Sequence, residues 1–222
     1  MLKVKAYFEM GLKIMLHDKL AFIWQIIMPS IFLIMSGVEN LLDLRYFWTY
    51  IIFSAYIYGV GLFILQNRES GILKMYFSIE NKVRYYFISI LLMQMVFIGI
   101  CLFFFNCIAF ILYGFNFFEM MFYSYSLMLL MIPIAFLSTI VTLMKNVNPS
   151  SIQTIVNILI FAFFVIMSKN IAINRYNPIL ILSQLLLFDN KMKMMYLISS
   201  VIMICIGVFS LKKFTPIPTY MR

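Results

Sequence analysis

The stretch 85-YYFISILLMQMVFIGICLFFFNCIAFILY-113 contains no charged residue over its whole length. An α-helix rises about 1.5 Å per residue, so this run is long enough to cross a hydrocarbon core about 30 Å thick. Lipid offers no hydrogen bonds to the backbone, so a chain that crosses it must bond to itself as a helix or a closed barrel. The stretch therefore predicts a membrane-spanning helix.

The composition of the whole chain indicates the same environment. Of its 222 residues, 64% are hydrophobic and 11% are charged, and the mean hydropathy is +1.01. Soluble domains carry about 25% charged residues. This chain has too few polar residues to cover a surface in water, so lipid must solvate most of it. Its abundance of Phe, Ile, Met, Asn and Lys is typical of AT-rich bacterial genomes, and we expect a bacterial plasma membrane protein.

Uncharged runs of 18 or more residues recur along the chain and predict six transmembrane helices in a single membrane domain. They cover 20–37, 46–65, 85–113, 120–144, 150–168 and 194–211. A seventh run, 178–188, has 11 residues and is too short to cross. It predicts a short re-entrant helix before the last span, with Asn177 as its N-cap and Pro178 as its first helical residue.

The distribution of basic residues predicts the orientation of these spans. Six crossings place both termini on one side, and that side holds 12 Lys and Arg residues against five on the other. The positive-inside rule then makes both termini cytoplasmic, and it explains the net charge of +9 without nucleic acid. In residues 1–18, Lys5, Glu9, Lys13 and His17 recur every four residues. This spacing predicts an amphipathic helix lying in the cytoplasmic interface.

Catalytic and metal-binding patterns are missing from the sequence. There is no P-loop, and the predicted spans contain no Asp, Glu, Lys, Arg or His. The chain has one histidine, His17, and three cysteines in apolar runs, Cys101, Cys107 and Cys205, none at metal-ligand spacing. We therefore expect neither an enzyme, a metal site nor an ion-driven carrier. Any energy for transport would come from another polypeptide.

One dense cluster of charge interrupts the apolar runs in the segment 66–84. Its charged residues are Arg68, Glu69, Lys74, Glu80, Lys82 and Arg84. After Gly71, which lets the backbone turn, apolar and charged residues mix in a pattern that suits a short interfacial helix. Two interpretations remain open, a docking surface for a soluble partner and a solvated loop that obeys the positive-inside rule.

Three stretches, in this order along the chain, resemble the permease subunits of ABC type-2 exporters. The stretch 16-LHDKLAFIWQIIMPSIFLIMSG-37 resembles the basic-acidic turn into a first span with an internal proline. The stretch 68-RESGILK-74 resembles the Arg-Glu-x-Gly-x-Leu-Lys element that begins the coupling helix. The stretch 176-YNPILILSQLL-186 resembles the Asn-Pro-led re-entrant helix before the last span. The chain departs from the family in having Ser168-Lys169 where Ser-Gly often ends the fifth span.

The resemblance implies half of a transporter. Two permeases, identical or different, would lie side by side, and each would engage an ATP-binding subunit that holds ATP and Mg²⁺. This chain would bind no cofactor. The resemblance assigns the contact with the ATPase to Arg68, Glu69, Gly71, Leu73 and Lys74. The substrate would leave between the two permeases.

The interior of the predicted spans limits what could be exported. It is free of charge and rich in Phe, Met and Tyr, so it would solvate a small ion or a sugar poorly. We expect an amphipathic peptide, a lipid or a hydrophobic drug.

Two alternatives do not require export. One is a membrane immunity or sensor protein without transport activity. The other is a passive channel, which would need a wet pore. The polar residues in the spans, Gln25, Gln94, Asn106, Gln153 and Asn157, are more typical of contacts between helices than of a pore lining.

Overall fold

The computed structural model describes residues 7–9, 11–12, 19–79, 83–167, 172–187 and 190–220. These residues form helices joined by turns and contain no strand. Among them, five helical segments are long and apolar enough to cross a membrane: Leu41–Glu69, Val83–Tyr113, Phe117–Leu143, Pro149–Ile166 and Lys191–Lys213. The predicted class, an all-helical protein with several helices of membrane-spanning length, is confirmed.

The first predicted span falls in helix α1 (Lys19–Ser36), which contains Pro29. The structure describes its side chains from Trp24 onward, and this apolar part, Trp24–Ser36, is shorter than the five long segments. Of the predicted interfacial helix 1–18, the structure describes residues 7–9 and 11–12, which are helical, with Glu9 exposed and Gly11 buried. The rest of that helix, including His17, lies outside the described residues.

The core of the bundle is a single rod, Leu41–Glu69. It is built from a 3₁₀ turn at Leu41–Leu44, helix α2 (Arg45–Tyr56), a π-helical turn at Ile57–Leu62 and helix α3 (Phe63–Glu69). In its most apolar stretch, 72% of the residues are buried inside the protein. The other helices therefore pack around this rod.

Helix α5 (Val83–Tyr113) and helix α6 (Phe117–Leu130) form an antiparallel hairpin beside the rod. The short helix α4 (Ile72–Ile79) lies between the rod and α5 along the chain. Buried polar side chains join the hairpin to the rod. The Trp48 indole donates to Asn106 Oδ1 at 2.8 Å, and Asn106 Nδ2 donates to Ser124 Oγ at 3.0 Å. Asn106 therefore links α2, α5 and α6, as predicted for a polar residue between membrane helices.

The third long segment, Phe117–Leu143, is broken near its middle. Helix α6 ends at Leu130, and Pro133 lies at the start of helix α7 (Ile132–Ser138), which a 3₁₀ turn at Thr139–Leu143 follows. Two glycines let other helices approach α7 closely. A Cβ on Gly61 would lie 2.3 Å from the Ser138 carbonyl oxygen, and one on Gly207 would lie 2.5 Å from the Phe136 carbonyl oxygen. Any larger residue at either position would push the helices apart.

Two helices lie at the periphery, α8 (Pro149–Ile166) and α10 (Asn190–Lys213). Only 11% and 17% of their apolar windows are buried inside the protein. Gln153 and Asn157 are exposed on α8, whereas Gln25 donates to Ser54 Oγ at 2.5 Å across to the rod. Gln25 and Asn106 thus bond other helices, and Gln153 and Asn157 of α8 point outward.

Candidate docking site at the basic end of the helical bundle

The predicted docking residues lie at one end of the bundle, which we call the basic end. The rod ends there at Glu69, the segment Phe117–Leu143 ends there, helix α5 begins there, and helix α10 ends there before the C-terminal tail. Its described basic side chains are Arg68, Lys74, Arg84, Lys145, Lys212 and Lys213, and its described acids are Glu69 and Glu9, the latter beside Tyr7, which packs on Tyr76 and Tyr86. The opposite end has Arg45, Arg175, Lys191 and Lys193 together with Glu39, Asp43 and Glu119. The described charges are thus more strongly positive at the basic end.

Arg68 lies inside the protein, with only 2% of its side chain exposed. Its guanidinium donates to the carbonyl oxygens of Thr142 and Met144, where the segment Phe117–Leu143 ends. It also approaches Thr219 Oγ1 at 3.5 Å. A planar guanidinium has five N–H donors, so one side chain can bond several acceptors in fixed directions.

Glu69 neutralises Arg68 and binds the C-terminal tail. Its Oε1 lies 2.6 Å from Arg68 Nη2, and its side chain is 4% exposed. The carboxylate accepts hydrogen bonds from Thr219 N at 2.9 Å, Tyr220 N at 2.7 Å and Thr219 Oγ1 at 3.1 Å. We call Arg68, Glu69 and Thr219 the clasp, because they join the rod, the end of the third long segment (Phe117–Leu143) and the tail.

The chain turns sharply after the clasp at Gly71. Gly71 has φ +79°, a left-handed conformation that is strained for residues with a Cβ. Its N–H donates to the Arg68 carbonyl oxygen at 3.0 Å. The nearest atom to a Cβ placed there would be Pro218 Cγ at 3.9 Å, so space alone would not exclude a side chain. The requirement for glycine is therefore conformational.

Helix α4 (Ile72–Ile79) follows this turn and has two unlike faces. Leu73 and Phe77, four residues apart, are buried, and the Phe77 ring lies edge-on to Tyr86 with centroids 5.7 Å apart. Lys74 and Ser78 are exposed, and Met75 is 65% exposed. The buried face anchors the helix to the rest of the protein, and the exposed face is accessible to other molecules.

A buried hydrogen bond fixes this region to the next helix. Asn67 Nδ2 donates to the Tyr86 hydroxyl at 2.9 Å. The Tyr86 ring also packs against Phe77 of α4. Tyr86 therefore contacts both the end of the rod and the last turn of α4.

The structure separates the five residues predicted to contact a partner. Arg68 and Glu69 belong to the rod and face inward, so they bind this chain's own backbone. Leu73 anchors α4, Gly71 forms the turn, and Lys74 is exposed. The predicted segment 66–84 is therefore not a loop throughout. Residues 66–69 continue the rod because the charges of Arg68 and Glu69 are paired, and residues 80–82 lie outside the described part of the chain.

Asn177 and Pro178 lie at the opposite end from the clasp. Asn177 caps helix α9 (Pro178–Ser183), accepting from Ile179 N at 3.0 Å, and its Nδ2 donates to the Phe163 carbonyl oxygen at 2.7 Å. Pro178 is the first helical residue. A 3₁₀ turn at Gln184–Leu186 follows, so the regular α-helix is shorter than the predicted 178–188, of which residue 188 is not described.

The tail residues Thr219 and Tyr220 have no signal in the sequence. They bind Glu69 mainly through backbone N–H groups, which every residue except proline carries. Arg68 likewise bonds backbone carbonyl oxygens, those of Thr142 and Met144, and such contacts leave no pattern in the sequence. Only the three-dimensional structure brings these groups to Arg68 and Glu69.

The described residues contain no group of three or more His, Cys, Asp or Glu side chains that could hold a metal ion. Comparisons with protein-family models, with curated proteins and with solved structures find no match to this chain.

Proposed function

We propose that this protein is the transmembrane permease subunit of an ATP-driven exporter, and that α4 receives the ATP-hydrolysing partner. The observation that carries the proposal is the two-faced helix α4, which is anchored by Leu73 and Phe77 and presents Lys74 and Met75 outward. Methionine is enriched at protein interfaces, and a lysine beside it suits their polar, solvent-accessible rim. The resemblance of residues 68–74 to the coupling-helix element of ABC type-2 permeases supports the same assignment.

The proposed topology has six spans with both termini in the cytoplasm. Helix α1 would be the first crossing, followed by the five long segments. The short element 178–186 would re-enter without crossing, because nine residues at about 1.5 Å each cover less than half of a hydrocarbon core of about 30 Å. The charge excess at the basic end supports a cytoplasmic position for α4 and the clasp.

The clasp would transmit a movement of α4 to the spans. A partner that moves α4 would pull on the turn at Gly71. The Arg68–Glu69 pair would transmit that force to the end of the third long segment and to the tail after α10. Arg68 and Glu69 would therefore couple indirectly, as positioning residues. ATP and Mg²⁺ would be held by the partner, and no residue of this chain would act on phosphate.

A second permease would cover the peripheral helix α8. Gln153 and Asn157, one turn apart, are exposed on a helix whose neighbouring residues are apolar. An amide facing hydrocarbon without a hydrogen-bond partner is costly, and membrane helices commonly satisfy such groups across an interface. The substrate, an amphipathic peptide, a lipid or a hydrophobic drug, would leave between the two copies.

The proposal is tested by purifying the tagged protein from its own membranes and identifying what remains bound. We expect an ATP-binding protein with a P-loop, and we expect the double variant Lys74→Glu/Met75→Ser to lose it. Lys193→Glu/Met194→Ser is the matched control, since it changes an equally exposed Lys–Met pair at the opposite end. An ATP-binding partner that is absent from the wild type, or retained equally by both variants, would overturn the proposal.

A further inference from the structure

A groove lies between the first turns of α5 and the last turns of α10, at the basic end. It encloses a cavity of about 780 Å³, which is within the range of about 300–1,000 Å³ that small-molecule sites occupy. Phe136 of α7 lines its inner side, with its ring 4.9 Å from that of Phe87 between centroids. Gly207 brings α10 against the Phe136 backbone, so the groove is formed by tightly packed helices.

The lining of the groove divides into an apolar part and a basic part. Ile88 and Leu91 of α5 face Val208 and Leu211 of α10. Arg84 and Lys212 line the same groove, and both side chains are exposed. Among the described lining residues none is acidic, and within the described part of the chain neither cation forms an ion pair. The described lining of the groove therefore carries positive charge without a negative partner.

The neighbouring Lys213 is held elsewhere. Its ammonium lies 4.5 Å from the centroid of the Phe209 ring on the same helix. Arg84 and Lys212 are thus the two cations among the described residues that line the groove. A guanidinium can bond two phosphate oxygens at once, and an ammonium adds a point charge.

We propose that this groove binds one anionic phospholipid. Its phosphate lies between Arg84 and Lys212, and one acyl chain follows the apolar walls formed by Ile88, Leu91 and Val208. Basic pockets between membrane helices at the cytoplasmic side bind anionic headgroups for this electrostatic reason. A soluble anion would use the two cations and leave the apolar part of the groove empty, and a zwitterionic lipid would bring its own cation. The proposal does not depend on export, because it needs only a membrane around the basic end.

The bound lipid would bridge two parts of the clasp region. Helix α5 holds the end of the rod through the Asn67–Tyr86 bond, and α10 leads into the tail that Glu69 binds. A lipid between α5 and α10 would therefore stabilise the basic end.

The test is a lipid titration of the detergent-purified protein followed by native mass spectrometry. The probes are phosphatidylglycerol, phosphatidylcholine and glycerol 3-phosphate. We expect phosphatidylglycerol to bind, and Arg84→Gln/Lys212→Gln to bind it about thirtyfold more weakly, a factor of about five for each lost charge. Lys191→Gln/Lys193→Gln, at the other end, removes two exposed charges and is expected to keep wild-type affinity.

Three results would overturn the proposal. Binding of phosphatidylcholine as tight as that of phosphatidylglycerol would remove the role of charge. Displacement of phosphatidylglycerol by an equal concentration of glycerol 3-phosphate would make the groove a site for free phosphate. Equal affinity in the two double variants would place the lipid elsewhere. Because all four substituted side chains are exposed, the variants are expected to fold, and unfolding temperatures without added lipid check this.

Discussion

Replacing Glu69 with glutamine removes the negative charge that pairs with the buried guanidinium of Arg68. The Glu69 carboxylate is 4% exposed and accepts bonds from Arg68, from the N–H groups of Thr219 and Tyr220, and from the Thr219 hydroxyl. Leaving a buried ionic partner uncompensated costs about 3–5 kcal/mol. Arg68 keeps its carbonyl acceptors at Thr142 and Met144, so we expect the lower end, about 3 kcal/mol.

Two assays measure this effect. The free energy of unfolding is obtained from a titration of mixed micelles with a denaturing detergent, and release of the tail is followed by its digestion with carboxypeptidase. We expect Glu69→Gln to lower the free energy of unfolding by about 3 kcal/mol and to let carboxypeptidase digest the tail. Glu119→Gln is the control, because Glu119 is exposed at the opposite end and its carboxylate is 3.4 Å from Asn116 Nδ2. We expect little change in that variant.

If Glu69→Gln unfolds like the wild type and its tail stays protected, Glu69 does not hold the tail or stabilise the fold as we expect. Should Glu69→Gln fail to fold, Thr219→Val provides a second measurement. It removes only the hydroxyl that donates to Glu69 at 3.1 Å and accepts from Asn146 N at 3.2 Å. A tail that remains fully protected in Thr219→Val would also contradict the clasp.

Three further predictions concern the turn and the topology. Gly71→Ala strains a backbone at φ +79° by about 1–2 kcal/mol and is expected to lower the export obtained per ATP hydrolysed in reconstituted vesicles. Gly114→Ala, at φ +67° at the opposite end, should strain its backbone equally and leave the coupling of ATP hydrolysis to export intact. An equal loss of coupling in both variants would remove the special role of the turn at Gly71. Single cysteines at Ser70 and Asn116, in a background without the native cysteines, should label from opposite sides of the membrane, and labelling of both by an impermeant external reagent would exclude the proposed topology. A reporter fused after Lys193 should be external, and a cytoplasmic reporter would mean that 178–188 crosses.

The sequence predicted where most helices lie because a long uncharged run in lipid must be helical. The predicted run 85–113 lies within Val83–Tyr113, and 46–65 lies within Leu41–Glu69. The end of the rod was less predictable. Charge normally marks the end of a span, so the predicted span 46–65 stops before the charges of Arg68 and Glu69. The helix continues to Glu69 because Arg68 and Glu69 pair with each other and with distant backbone groups.

Hydropathy could not predict which helices form the core. Leu41–Glu69 and Pro149–Ile166 have mean hydropathies of 1.7 and 1.9, yet 72% of one window and 11% of the other are buried inside the protein. A membrane helix is apolar whether it faces lipid or protein, so the usual contrast between inside and outside is lost. The central position of the rod, and with it the burial of Arg68, needed the structure.

The candidate site was predicted in part for similar reasons. The mixed pattern after Gly71 indicated a short interfacial helix, and the structure has α4 at Ile72–Ile79. The sequence did not distinguish the inward-facing Leu73 from the outward-facing Met75, since both are apolar. Nor could it place Tyr220 beside Glu69, because that contact uses a backbone N–H group.

Photo-crosslinking from Met75 tests the docking proposal most directly. A photoreactive residue is placed at Met75, which is 65% exposed on α4, and in a separate variant at Phe118, which is 84% exposed at the opposite end. After irradiation in native membranes, we expect a covalent adduct with a P-loop ATP-binding protein from Met75 and none from Phe118. The absence of that adduct from Met75, or its equal formation from both positions, would contradict the proposal that α4 receives the ATP-hydrolysing subunit.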